Sequence, residues 1–184
     1  MKQYVIAIFA LLSLFAFTLQ NAEAEDTFYQ NEKVTIKEVE PFTYCSVPHQ
    51  GPLGEMETSI QILIGNMTGQ NIPPGGTLFA IFHSIPEEGK SRAFDWEVGF
   101  PITALVLPQP PLKKGQWDHI TVASTIHKGR VETLGGAVDA ILEWMDKNGY
   151  EQDGPIACLF LNIGSEDTIP SRLETEIWIA SKRN

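Results

Sequence analysis

The chain has 184 residues, with 13 lysines and arginines against 23 aspartates and glutamates and a formal net charge of −10 at pH 7. That acidic balance argues against a nucleic-acid partner, because phosphate binding needs clustered basic side chains. Two distant cysteines and four scattered histidines offer no converging ligand spacing, so neither a metal nor any other cofactor is expected.

In chain order, the first feature is MKQYVIAIFALLSLFAFTLQNAEA, residues 1–24. Lys2, an apolar run and Ala22-Glu23-Ala24 have the organisation of a secretory signal peptide cleaved after Ala24. The apolar run is roughly 16 residues, short of the ~20 that a membrane span needs. The expectation is an exported protein, periplasmic or extracellular, with no membrane attachment after cleavage. The remainder, 25–184, suits one domain with its own core. Cleavage removes one lysine and one glutamate and leaves the charge at −10. In an oxidising compartment Cys45 and Cys158 can form a disulfide, but two small buried thiols are the plainer reading.

A strand is expected over 42–47, then an apolar-faced helix, then a strand at LFAIF (78–82) and another at DWEVGF (95–100). PQPPLKKGQ (108–116) reads as a proline-rich connector. A strand follows over 120–126. Leu134, Ala137, Val138, Ile141, Leu142 and Met145 then fall on one face of a helix. Gly149 stands where a left-handed C-cap belongs, and Asn71 is its counterpart after the first helix. A turn containing Gly and Pro leads to strands at IACLF (156–160) and TEIWIA (175–180).

These elements repeat. Segment 49–83 aligns with 127–161 without a gap at an offset of 78 residues, pairing His49 with His127, Gly51 with Gly129, Met67 with Met145 and Phe82 with Phe160. Each half is strand–helix–strand–strand, over about 33–104 and 117–182, with 105–116 as linker. The expected fold is α+β: a tandem duplication forming one curved antiparallel sheet, with both helices on one face and an open concave face for a small molecule on the other.

The strand-end HKG, the helix LGGAVDAILEWMDKNGY, the following DGP and the terminal EIWIA, in this order, resemble the gyrase-inhibitor-like small-molecule-binding domain. The resemblance covers roughly 33–182. The same domain is the effector-binding module of AraC- and MerR-type multidrug-sensing regulators. It implies a duplicated strand–helix–strand–strand unit and a central pocket for hydrophobic, often cationic, compounds, with the family glutamate of the last strand matching Glu176. Two features set the chain apart from those regulators: the leader, and no helix-turn-helix segment before residue 33. Some family members resemble hydrolases of strained toxins, which implies an alternative role for Glu176 as general base with its pKa raised by burial. A third alternative is an envelope accessory protein whose concave face is filled and binds a partner.

Strand alternation selects the candidate ligand-binding residues. Ile177 and Ile179 share the helix side, leaving Glu176 and Trp178 on the concave side. Trp96, Val98 and Phe100 share the helix side, leaving Glu97 and Gly99 opposite. One inserted residue before the last strand pairs Glu97 with Glu176 and Gly99 with Trp178. Tyr44 is a further candidate through its hydroxyl. Trp96 is another, should strand twist carry it to the pocket mouth. His49 and His127, each two residues before a glycine, read as a duplicated structural corner.

Overall fold

The computed structural model describes residues 33–84, 94–130, 133–162 and 173–184. The expected leader lies outside the described residues. Among the described residues are eight strands and two α-helices: β1 (Thr35–Glu38), β2 (Phe42–Gly51), α1 (Met56–Gly69), β3 (Phe79–Ser84), β4 (Phe94–Pro101), β5 (Lys113–Trp117), β6 (Thr121–Lys128), α2 (Leu134–Lys147), β7 (Tyr150–Phe160) and β8 (Glu174–Arg183). All strands join one antiparallel sheet in the order β1-β6-β8-β7-β3-β4-β2-β5. This is the α+β duplication that the sequence indicates.

Its symmetry can be read from the register. β2 pairs with β4 so that Pro48 faces Glu97, and β6 pairs with β8 so that Ile126 faces Glu176. The first members differ by 78 residues and the second by 79, as one inserted residue requires. At the centre Ala80 pairs with Cys158, its own counterpart at the 78-residue offset, so the pseudo-twofold axis passes through that pair.

Residues paired across neighbouring strands share a face. The row Val98–Ala80–Cys158–Ile177 therefore lies on one side. It packs under both helices: α1 delivers Met56, Leu63 and Met67 to the first half, and α2 delivers Leu134, Ala137, Val138, Ile141 and Met145 to the second. Both helices stop as the sequence indicates, at left-handed Asn71 (φ 54°) and Gly149 (φ 74°). Cys45 and Cys158 are free and buried in separate helix-side clusters, so no disulfide forms between them. Burial in apolar surroundings pushes the Cys158 thiol up to about 12.

Three segments differ from the sequence reading. The connector is not all loop, since β5 takes up its last residues. The DGP segment is not a turn before β7 but an irregularity within it, between Gln152 and Ile156. β1 forms upstream of the expected first strand. β1 and β5 are themselves counterparts, because Lys37 pairs with Val122 and Gly115 with Tyr44, again 78 residues apart. Each lies at the start of its own half in the chain but pairs with the opposite half.

The sheet curls strongly. Trp117 on edge strand β5 and Trp178 on β8 are five strand intervals apart, about 24 Å in a flat sheet. Yet their ring centroids lie 6.0 Å from one another. The curl carries β5 over the face opposite the helices and makes that face concave.

Candidate functional site on the concave face

Phe79, Ile81, Ala157 and Leu159 form the floor of the concave face, where β3 meets β7. Phe42, Tyr44, Trp117 and Trp178 cover it, all within one apolar cluster. Tyr44 meets Phe79 edge-on with centroids 5.2 Å apart, and Phe42 stacks on Trp117 at 6.4 Å and 13°. The floor is thus closed by the protein's own rings: Phe79, Ile81 and Ala157 are buried.

A carboxylate stands at each end of this floor. Glu97 pairs with Ile81 on the neighbouring strand, and Glu176 pairs with Leu159. Their side chains are only 11% and 19% exposed. Glu97 accepts hydrogen bonds from the Tyr44 hydroxyl (2.8 Å) and the Ser46 hydroxyl (2.5 Å), and His83 Nε2 lies 3.0 Å from it. Burial, and then the charge of Glu97 and the bond to it, raise the Tyr44 pKa, which keeps the hydroxyl a donor.

Glu176 accepts a hydrogen bond from the Ser124 hydroxyl at 2.9 Å and pairs closely with Lys37 Nζ. The same ammonium lies over the Trp178 ring, 4.5 Å from its centroid. Burial alone would raise the Glu176 pKa. The hydrogen bonds from Lys37 and Ser124, the Trp178 indole N–H at longer range, and the Lys37 charge together outweigh that and lower it. The indole N–H closes no hydrogen bond of its own. This environment favours the ionised carboxylate, opposite in direction to the raised pKa that the hydrolase alternative expects.

The structure brings Glu176, Trp178, Glu97 and Tyr44 to one face and leaves Trp96 off it. Trp96 is wholly buried under α1, against His49 (centroids 4.6 Å), and its Nε1 donates to Gly51 O at 3.2 Å. Strand twist does not carry it to the concave side, so alternation prevails over the pocket-mouth expectation. The His-x-Gly corners have a packing explanation. His49 Nε2 reaches Glu55 at 2.6 Å and His127 Nε2 reaches Thr133 Oγ1 at 3.0 Å, each ring meeting the residue just before a helix. A Cβ on Gly51 or Gly129 would crowd the His49 or the His127 ring.

Lys37, Ser46, Ser124, His83, Phe42, Phe79 and Trp117 belong to the site but were not singled out by the sequence. Extending the repeat three residues upstream of His49 aligns Ser46 with Ser124 and reveals the shared hydroxyl donor. Lys37 and Trp117 lie on short edge strands with no periodic signal of their own. Among the described residues no group of His, Cys, Asp or Glu could hold a metal ion, and no helix is long and apolar enough to cross a membrane.

A family model, the GyrI-like small-molecule-binding domain, matches residues 32–182. The chain belongs to this family. No curated protein matches it. Among solved structures, the GyrI-like fold is shared with the EcmrR C-terminal domain, at TM-score 0.69 and 21% identity over 86% of this chain and all of that one. A hydrolase from Listeria innocua superposes with TM-score 0.61 and 13% identity, covering 89% of this chain and 98% of that one. SAV2435 bound to tetraphenylphosphonium superposes with TM-score 0.54 and 11% identity, covering 82% of this chain and 94% of that one. At these identities the structures establish a common fold. The family match establishes a small-molecule-binding domain.

Proposed function

We propose that the protein is an exported binding protein that holds a hydrophobic or cationic aromatic compound on its concave face and releases it unchanged. The observation that carries this reading is the pair of carboxylates, Glu97 and Glu176, at opposite ends of an aromatic floor. A delocalised organic cation suits that combination. Each ring it meets supplies about 0.5–2 kcal/mol of cation–π attraction, most where water is excluded. Carboxylates in a low-dielectric surround add attraction that falls off slowly. The fold shared with SAV2435, which is bound to tetraphenylphosphonium, supports this ligand class, and the leader supports export.

The test is titration of the 25–184 protein with tetraphenylphosphonium, followed by indole fluorescence and calorimetry. Triphenylphosphine oxide serves as the neutral comparison. The reading expects saturable binding, about tenfold or more tighter for the cation. Equal affinities would remove the cationic element, and no saturable binding of either would remove the function. Expression of the full chain in a bacterial host should yield an exported protein beginning at Glu25; retention of the leader inside the cell would refute export.

The covered floor also favours the partner-binding reading, which expects a filled concave face. Mass spectrometry of small molecules copurifying with the mature protein separates the two: an organic compound recovered intact supports the binding protein, a captured envelope protein the other. A compound recovered chemically altered would favour the hydrolase.

A further inference from the structure

We propose that Lys37 is a tethered stand-in for the ligand's cation, occupying the half-site formed by Glu176 and Trp178 until a bound cation displaces it. The inference rests on the binding function proposed above and identifies what controls that site. Three observations carry it.

First, the Lys37 ammonium makes both contacts expected of a bound aromatic cation: it pairs with the Glu176 carboxylate and lies 4.5 Å from the Trp178 ring centroid. Ser124 completes the carboxylate's hydrogen bonding from the side at 2.9 Å.

Second, the frame does not need a lysine at this position. The counterpart of Lys37 is Gly115, and the counterpart of Glu176 is Glu97. Glu97 is held there by the Tyr44 and Ser46 hydroxyls, with His83 beside it. A buried carboxylate in this fold can thus be held without a strand-borne ammonium.

Third, Lys37 is able to leave. It lies on a four-residue edge strand, with its side chain 35% exposed. Swinging its long, flexible stem into water opens no gap in the helix-side core, which lies on the other face.

The consequence is a specificity filter. A tethered competitor acts at an effective concentration on the order of millimolar or above. A small hydrophilic cation gains no more at Glu176 than Lys37 already does and so cannot displace it. A cation carrying aromatic groups gains additional burial against the half-buried Trp178 ring, and does displace it. Lys37 thereby sets the threshold of aromatic character that a ligand must exceed.

A double-mutant cycle with tetraphenylphosphonium tests this, using wild type, K37Q, E176Q and K37Q/E176Q, each checked for folding by circular dichroism. Removing the competitor should tighten binding about tenfold. In wild type, E176Q loosens the competitor as well as the ligand, so its effect should be less than about threefold. In the K37Q background the same change should weaken binding about tenfold, because the carboxylate then serves the ligand alone. Wild type that binds the probe, with K37Q binding it equally or more weakly, overturns the inference and leaves the proposed function standing. A lysine that merely supports the fold gives that second result. Saturable binding by none of the four variants overturns the proposed function, and the inference with it.

Discussion

At equivalent positions on the concave face, the first half carries Tyr44, Gly99 and Gly115 where the second carries Val122, Trp178 and Lys37. The serine–glutamate pairs between them are kept: Ser46 with Glu97 and Ser124 with Glu176. The substitutions are complementary in volume. In the first half the Tyr44 ring lies where a Gly115 Cβ would project, and a Cβ on Gly99 would come within 2.7 Å of Cys45 O and 3.0 Å of the Phe79 ring. In the second half Val122 is small, and the indole and the ammonium fill the space instead. Duplication therefore preserves the frame and the anionic groups, while divergence gives each carboxylate its own environment, neutral hydroxyls beside a histidine at one end and an ammonium over an indole at the other.

The halves differ on the helix side too, and there the expected effects are largest. Trp96, wholly buried in the first half, corresponds to Thr175 in the second. Trp96→Ala should lower unfolding stability by about 3–5 kcal/mol, whereas Thr175→Ala should cost about 1 kcal/mol, both read from urea melts. Equal losses would break the contrast between the two cores. Next is Gly99→Ala, which forces a Cβ against backbone and should cost about 1–3 kcal/mol. A neutral result there would show that the first half has room for a side chain at the Trp178 position.

Ser46→Ala and Ser124→Ala each remove one hydroxyl donor from a carboxylate, and each should cost about 1 kcal/mol. Similar values would support the retained serine–glutamate pair as one device used twice, while a large loss at one position only would assign the duplicated role to that half.

The pH dependence sharpens the comparison further. The Glu176 pKa is lowered in the folded protein, so the unfolded chain binds the proton more readily. Its contribution to stability is present above the ordinary glutamate value of about 4.3 and is lost as pH falls through the lower folded value. Lys37→Met should shrink this acid-side loss in melts collected across that range; an unchanged slope would contradict the assignment to the Lys37–Glu176 pair. The smallest effect is expected outside the duplicated faces. Lys182 pairs on the surface with Glu151 and Asp153, and Lys182→Ala should leave the melting midpoint within error.

Much of this arrangement was legible in the sequence. The apolar stripe from Leu134 to Met145 defines α2, the 78-residue offset gives the symmetry, and one inserted residue makes Glu176 the counterpart of Glu97. β1 and β5 were not legible, because TIKE and KKGQW are short and largely polar. They become strands by pairing with distant β6 and β2, and propensity carries no record of such pairing. Lys37 was missed for the same reason, since only its exchange into the opposite half brings it to Glu176. Trp96 shows the converse. Its alternation gave the correct side, and only the expectation that strand twist would carry it to the pocket mouth argued otherwise.

The most direct measurement is tetraphenylphosphonium binding to the E97Q/E176Q double variant, whose isosteric changes keep the shape of both ends of the floor. If the carboxylates hold the cation, affinity should fall about tenfold or more relative to wild type, most of it from the loss at Glu97 because Lys37 offsets the loss at Glu176, with circular dichroism and the melting transition retained. A folded double variant that binds the cation as tightly as wild type would contradict the account.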